Sequence, residues 1–254
     1  MWGTFSDAND VALAAVRAIT NLRAGEQAEE LAPQARERVR ELAVGTPSRG
    51  FSGRGSIARV ALVPVIAEPL LDAVALDDPD LGDAVADLAR ASRLVPHAIG
   101  LAPRITRDGL ALERVGPTVG GDPLVAVAPD GAITCEVDVG GDDQLGGMRV
   151  DPDRLATGVR GVGEFALRLW ERIDRREAVQ QIAVAVAIPE AQHKVFGLPT
   201  GATGWSVGMS LPGTIVVPDA PVIVRRAEVS GDELARRIVA EIRRIYVDAG
   251  AVAR

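Results

Sequence analysis

The pattern of apolar and polar positions is clearest over residues 123–188. Residues 124–128 form an apolar run that meets Pro129-Asp130-Gly131, and Asp-Gly after such a run is a strong hairpin signal. In the strand expected next, Ile133, Cys135, Val137 and Val139 alternate with Thr134, Glu136 and Asp138, giving one apolar face and one that can be wet. Cys135 therefore points inward. After a glycine-rich acidic loop at 140–149, Asp151-Pro152-Asp153 supplies an N-cap, a proline at the first helical position and a carboxylate at the positive end of the helix dipole. Leu155, Val159, Val162, Phe165, Ala166, Leu169, Trp170 and Ile173 follow as one apolar stripe. Gly158, Gly161 and Gly163 each cost roughly 1 kcal/mol of helix propensity, so they mark either close packing against the sheet or a later helix start. Farther on, Ile182, Val184, Val186 and Ile188 alternate with Ala183, Ala185 and Ala187. Neither face is polar, which predicts a central strand covered on both sides, its alanine face approached closely by another layer.

Elsewhere the same periodicities recur. Val11, Ala12, Ala15, Val16, Ile19 and Leu22 keep helical spacing, and residues 26–44 read as a second, more charged helix holding Leu31, Val39 and Leu42, so an αα-hairpin is expected. The breaker-rich stretch 45–55 divides an N-terminal helical segment (1–50) from an α+β domain (51–254). Val60, Leu62, Val63, Val65 and Ile66 read as a strand, which Pro64 demotes to an edge or a strand end. Asp78-Pro79 repeats the helix start, with Leu81, Val85 and Leu88 inside and Pro96 as terminator. Two strands at 98–106 and 109–115 join at Arg107-Asp108-Gly109. Residues 214–217 and 222–229 are β-rich around a turn with Pro218, Asp219 and Pro221. Ser230-Gly231-Asp232-Glu233 is a capping box, opening a helix with Leu234, Ile238, Val239, Ile242, Ile245 and Tyr246, and Gly250 is its C-cap. Strands in neighbouring groups with DG-type turns give an α+β fold: a largely antiparallel mixed sheet with helices packed on it, preceded by the helical hairpin.

Composition narrows the function. A chain of 254 residues that is 47% hydrophobic can bury a sizeable core, and a net charge of -7 argues against general nucleic-acid affinity. One cysteine makes no internal disulfide, the N-terminus lacks a signal-peptide pattern, and no apolar run approaches the roughly 20 residues that span a bilayer. A cytoplasmic protein with no membrane partner is expected. Two histidines and one cysteine assemble no ordinary zinc site without carboxylates, and neither a P-loop nor GxGxxG is present, so no cofactor is expected.

Two stretches, His97-Ala98-Ile99-Gly100-Leu101-Ala102-Pro103-Arg104 and Leu124-Val125-Ala126-Val127-Ala128-Pro129-Asp130-Gly131-Ala132-Ile133, resemble the uncharacterised region that follows the Schlafen-type Alba domain in actinobacterial proteins described as ATP-binding. The match covers about residues 55–188 and leaves out the Alba domain itself, so it carries over no nucleotide-binding or nucleic-acid-binding residue. It implies an accessory module of a larger system.

Several motifs suggest chemistry. Gly204-Trp205-Ser206-Val207-Gly208 fits the GxSxG nucleophile elbow, but neither His97 nor His193 follows Ser206 as the hydrolase order requires. Gly140-Gly141-Asp142-Asp143-Gln144 resembles the GGDEF signature of diguanylate cyclases with Gln144 in place of the acid, and Asp138, Asp142 and Asp143 are candidate oxygen ligands for a divalent cation. A solvated acidic turn is the plainer reading. Arg225, Arg226, Arg236, Arg237, Arg243 and Arg244 make a basic face that is the candidate nucleic-acid contact, although such faces are usually just solvated. Residues 190–213 combine prolines and glycines with Phe196 and Trp205, which are expected to anchor a lid or partner-binding loop, with His193 and Lys194 beside them. The leading expectation is a non-catalytic cytoplasmic interaction module whose partner is another protein or a second copy. The alternatives are a nucleic-acid-associated protein using the arginine face and an enzyme working from the 190–213 loop with Ser206 and His193.

Overall fold

Residues 182–188 form the strand that their alternation predicts, and the layers of the fold follow from its two faces. The computed structural model describes residues 8–45, 56–95, 99–115, 124–140, 149–197 and 211–251, with side chains except at 8–10 and 13–27. Its elements are α1 (Ala8–Val44), β1 (Ile57–Pro64), a short α2 (Ala73–Leu76), α3 (Pro79–Ala91), β2 (Leu101–Thr106), β3 (Gly109–Arg114), β4 (Val125–Val127), β5 (Ile133–Asp138), β6 (Arg149–Val150), α4 (Pro152–Ile173), β7 (Gln181–Pro189), β8 (Val195–Phe196), β9 (Thr214–Arg225) and α5 (Asp232–Asp248). Seven strands lie in the order β2-β3-β4-β5-β1-β7-β9, antiparallel at every pairing, while β6 and β8 form a separate parallel pair. The chain has an α+β fold with a largely antiparallel sheet.

On one face Ile182, Val184, Val186 and Ile188 join Cys135 of β5, Phe165, Leu169 and Trp170 of α4 and Ile238, Ile242 and Tyr246 of α5 in the larger core. On the other, Ala183, Ala185 and Ala187 meet Ala61 and Val63 of β1 beneath Ala28, Ala35, Val39 and Ala43 of α1. Methyl side chains on both surfaces let a helix lie close to the strands. The segment expected as a separate N-terminal unit thus gives its C-terminal half to a core shared with the sheet.

Three expectations need correction. The helical hairpin is one continuous 37-residue helix that runs through Pro33. Burial of its alanine stripe outweighs the local cost of the Gly25-Glu26 break, since tertiary packing supplies most helical stability in proteins. Residues 214–225 form one 12-residue strand in place of two strands and a turn. Its prolines and Asp219 fall in an irregularity opposite Val184 and Val186, at a free edge where missing ladder donors are tolerated. Carbonyls of that irregularity accept from α1, Asp219 O from Arg40 Nη1 at 2.9 Å and Pro221 O from Arg36 Nε at 3.2 Å. Finally, Ser230 is not the N-cap of α5; Gly231 is, without a side-chain cap, and its N–H is used by Glu228 O at 3.0 Å.

Other local readings are met, apart from that of Glu136. Pro64 is the last residue of β1, which lies between β5 and β7, so the strand-end alternative applies and the edge alternative does not. Asp151 Oδ1 caps α4 by accepting from Asp153 N at 2.9 Å and Arg154 N at 3.1 Å. The helix starts where expected, so its glycines mark close packing. A Cβ at Gly158 would come within 2.9 Å of the Val137 side chain, and one at Gly163 would overlap Val229 O. Glu136, placed on the wet face, is in fact buried and pairs with Arg59 at 3.0 Å, while Arg59 Nη1 also donates to Val44 O at the end of α1. Among the described residues, no helix is long and apolar enough to cross a membrane.

Asp174 ties three elements together just after α4. Its carboxylate accepts from Ala178 N at 2.8 Å and Val179 N at 2.9 Å, which turns the chain into β7, and it pairs at 3.1 Å with Arg226 beyond β9. Its side chain has no exposed surface, so removing it leaves two backbone donors and a guanidinium without their partner. Asp174→Ala is expected to lower the unfolding free energy by about 3 kcal/mol in urea melts. A loss below about 1 kcal/mol would show that this tie is dispensable.

Candidate functional site

Strand register separates the two ends of the sheet. At one end the connections are short, as at Arg107-Asp108 between β2 and β3 and at 128–132 between β4 and β5. At the other end Ser56 O accepts from Val139 N at 2.8 Å, Val139 O from Asp151 N at 2.7 Å, Gly213 O from Ala191 N at 3.0 Å and Ala251 O from Phe196 N at 3.1 Å. The residues flanking 46–55, 96–98, 116–123, 141–148 and 198–210 all lie at this second end. Binding residues tend to sit on loops positioned by a rigid scaffold, and this is where the scaffold presents them.

The stretch 190–197 is ordered more tightly than a lid. Glu190 sits in the left-handed region at φ 52°, Ala191–His193 make one 3₁₀ turn, and β8 then pairs with β6. His193 is exposed. Lys194 is buried, its Nζ donating to Pro189 O at 2.6 Å; desolvation lowers its pKa from 10.5 to about 8, partly offset by the charge of Glu190. Phe196 packs its ring on Tyr246, centroids 5.7 Å apart, inside the larger core. Phe196 and Lys194 thus face inward, and among the described candidates of the loop His193 faces solvent. Trp205, Ser206 and His97 lie outside the described residues.

The remaining candidates are dispersed. Asp138 is exposed and accepts from Gly140 N at 2.9 Å, and Asp142 and Asp143 lie outside the described residues. Among the described residues, no three His, Cys, Asp or Glu side chains are grouped to hold a metal. Burial pushes the Cys135 thiol pKa far up, which keeps it protonated and unreactive. Arg226 is committed to Asp174, Arg225 pairs with Glu228 at 3.0 Å, Arg237 with Glu241 at 3.1 Å, and Arg236 donates to Asp232 O at 3.3 Å. Arg243 and Arg244 are exposed on α5.

No concavity was singled out by the sequence. A cleft of about 1020 Å³ runs along the outer side of α4, between the C-terminal end of α3 and the N-terminal end of α5. Gly158 and Gly161 lie along it, packed against Val137 and Ser92 O, and the walls carry Arg93, Arg168, Glu164 and Asp138. Arg160 spans from α4 to Asp232 of α5 at 2.6 Å, and its hydrogen bond and charge hold the Asp232 carboxyl below the usual range. Of the three glycines in this amphipathic helix, legible as close packing, Gly158 and Gly161 line the groove, which no sequence window announced. A smaller cleft of about 400 Å³ lies beside α1, lined by Leu31, Val65, Ile66 and Pro69, with Arg38 and Asp130 paired at 3.2 Å on its rim.

The buried amine of Lys194 makes a pH test. Folding lowers its pKa, so between about pH 8 and 10.5 the unfolded chain binds the extra proton and stability rises with pH; below pH 8 both states are protonated and the burial cost is full. The melting temperature of the wild type minus that of Lys194→Met is therefore expected to increase from about pH 7 to about pH 10, and an invariant difference would place the ammonium in water. No protein-family model, curated protein or solved structure matches the chain.

Proposed function

We propose that the protein is a non-catalytic cytoplasmic interaction module that docks a segment of a partner protein in the cleft along α4. The observation that carries this reading is the cleft itself: about 1020 Å³, open along α4, with charges of both signs on its walls. Mixed charge suits a peptide segment, whose own backbone and side chains offer both signs and both hydrogen-bonding roles. Val137 and Asp138, at the end of β5, line one side of the groove. The resemblance to the region after the Schlafen-type Alba domain fits an accessory role in a larger system.

Arg93 and Arg168 line the groove and are exposed, so reversing them leaves the cores alone. The double variant Arg93→Glu, Arg168→Glu is expected to lose the partner that the wild-type chain retains from host extract. Its stability should stay within about 0.5 kcal/mol for each surface substitution. Retention of the same partner by the variant would move docking off this cleft. Salt-dependent binding of DNA or RNA by the wild type would favour the arginine face of α5 instead.

A further inference from the structure

Lys194 is the chain's single lysine, so it carries the one side-chain amine that an acyl donor can meet. The fold hides it. Lys194 is 4% exposed, and its Nζ donates to Pro189 O at 2.6 Å, five residues back in the same stretch. Burial also lowers its pKa to about 8, so near that pH more of the amine is neutral than in an ordinary lysine. An accessible Lys194 would therefore react faster than a solvated lysine. A slower reaction measures access and not protonation.

Three costs gather in the same few residues. Glu190 holds the left-handed backbone at φ 52°, which a residue with a side chain disfavours. Gln192 Oε1 is shut off from solvent without a hydrogen-bond partner. Lys194 gives up the hydration of its charge against one carbonyl and the nearby charge of Glu190. Lifting residues 190–195 releases all three, since water then reaches the acceptor and the ammonium, and Glu190 is free to leave the turn. Among the described residues, the ties that hold the stretch down are the bond from Ala191 N to Gly213 O at 3.0 Å and the pairing of Val195 with Arg149. Its buried apolar side chains are Ala191 and Val195, and the next residue, Phe196, can stay packed on Tyr246. Few buried apolar contacts mark a segment that opens at less than the global unfolding free energy.

We propose that residues 190–195 form a flap that gates acylation of Lys194: an activated acyl donor, a thioester or an active ester, reaches the amine only while the flap is lifted. The neutral amine then attacks the donor's carbonyl carbon. The amide C–N bond forms as the bond to the leaving thiol or hydroxyl group breaks, and the amine's proton passes to water. The test is acetylation of the full chain by an N-hydroxysuccinimide ester at pH 8, read as the mass gained at Lys194. Labelling of the folded chain is expected to be at least about 10-fold slower than in urea above the unfolding transition. In lower urea its rate should rise with a shallower slope than global unfolding followed by circular dichroism, because a flap exposes little surface. A folded chain that labels as fast as the unfolded one has an open amine, which overturns the gate. A slope equal to that of global unfolding overturns it too, since Lys194 would then be freed only with the whole fold.

Discussion

Burial of β7 on both faces is the constraint from which the other layers follow. A strand without a polar face must be covered twice, and the size of its alternating side chains decides what covers it. The branched residues at 182, 184, 186 and 188 need depth, which α4 and α5 supply with Phe165, Leu169, Trp170, Ile242 and Tyr246. The alanines at 183, 185 and 187 leave little depth to fill, and α1 answers with alanines of its own. Exchanging the two sets by a one-residue slip would press isoleucines against α1 and leave a void under α4, so packing also fixes the register.

Polar contacts between layers occur where segments must change direction. Trp170 Nε1 donates to Gly131 O at 2.9 Å from the α4 side of the β4–β5 turn, while Arg38 reaches Asp130 in that turn from the α1 side. One hairpin turn is thus gripped by both helical layers. Arg59 does similar work at the opposite end, joining Glu136 to the last carbonyl of α1, and Asp174 does it where α4 hands over to β7. The buried carboxylates of Glu136 and Asp174 are each paired with an arginine, which is the condition under which a buried ion can be tolerated.

What the sequence disclosed was local. Asp151 and Asp78 before prolines, the Asp-Gly turn and the two-sided β7 pattern were all legible, because each signal spans a few residues and its physics is complete within them. The mistaken readings involve energies stored elsewhere in the chain. Gly25-Glu26 looks like a helix break until the alanine stripe of α1 finds a sheet, and Pro218-Asp219-Ala220-Pro221 looks like a turn until β7 and the arginines of α1 hold it in an edge strand. Phe196 looked like a surface anchor since nothing nearby in sequence announces Tyr246, fifty residues on, as its partner. The α4 cleft was hidden for the same reason, since a groove needs three elements and a sequence window shows one.

The two faces of the sheet also keep the two clefts apart. The larger cleft belongs to the layer of α3, α4 and α5, whereas α1 lies on the alanine face, where the smaller cleft opens between Leu31 and the residues that leave β1. A partner segment seated on α4 and a contact made through α1 would touch opposite faces of the sheet. The central strands between them, β5, β1 and β7, are largely buried, so occupying one surface requires no rearrangement of the other. Coupling between two such sites needs an element with two arrangements, and neither core supplies one. The geometry therefore favours independent binding at the two surfaces.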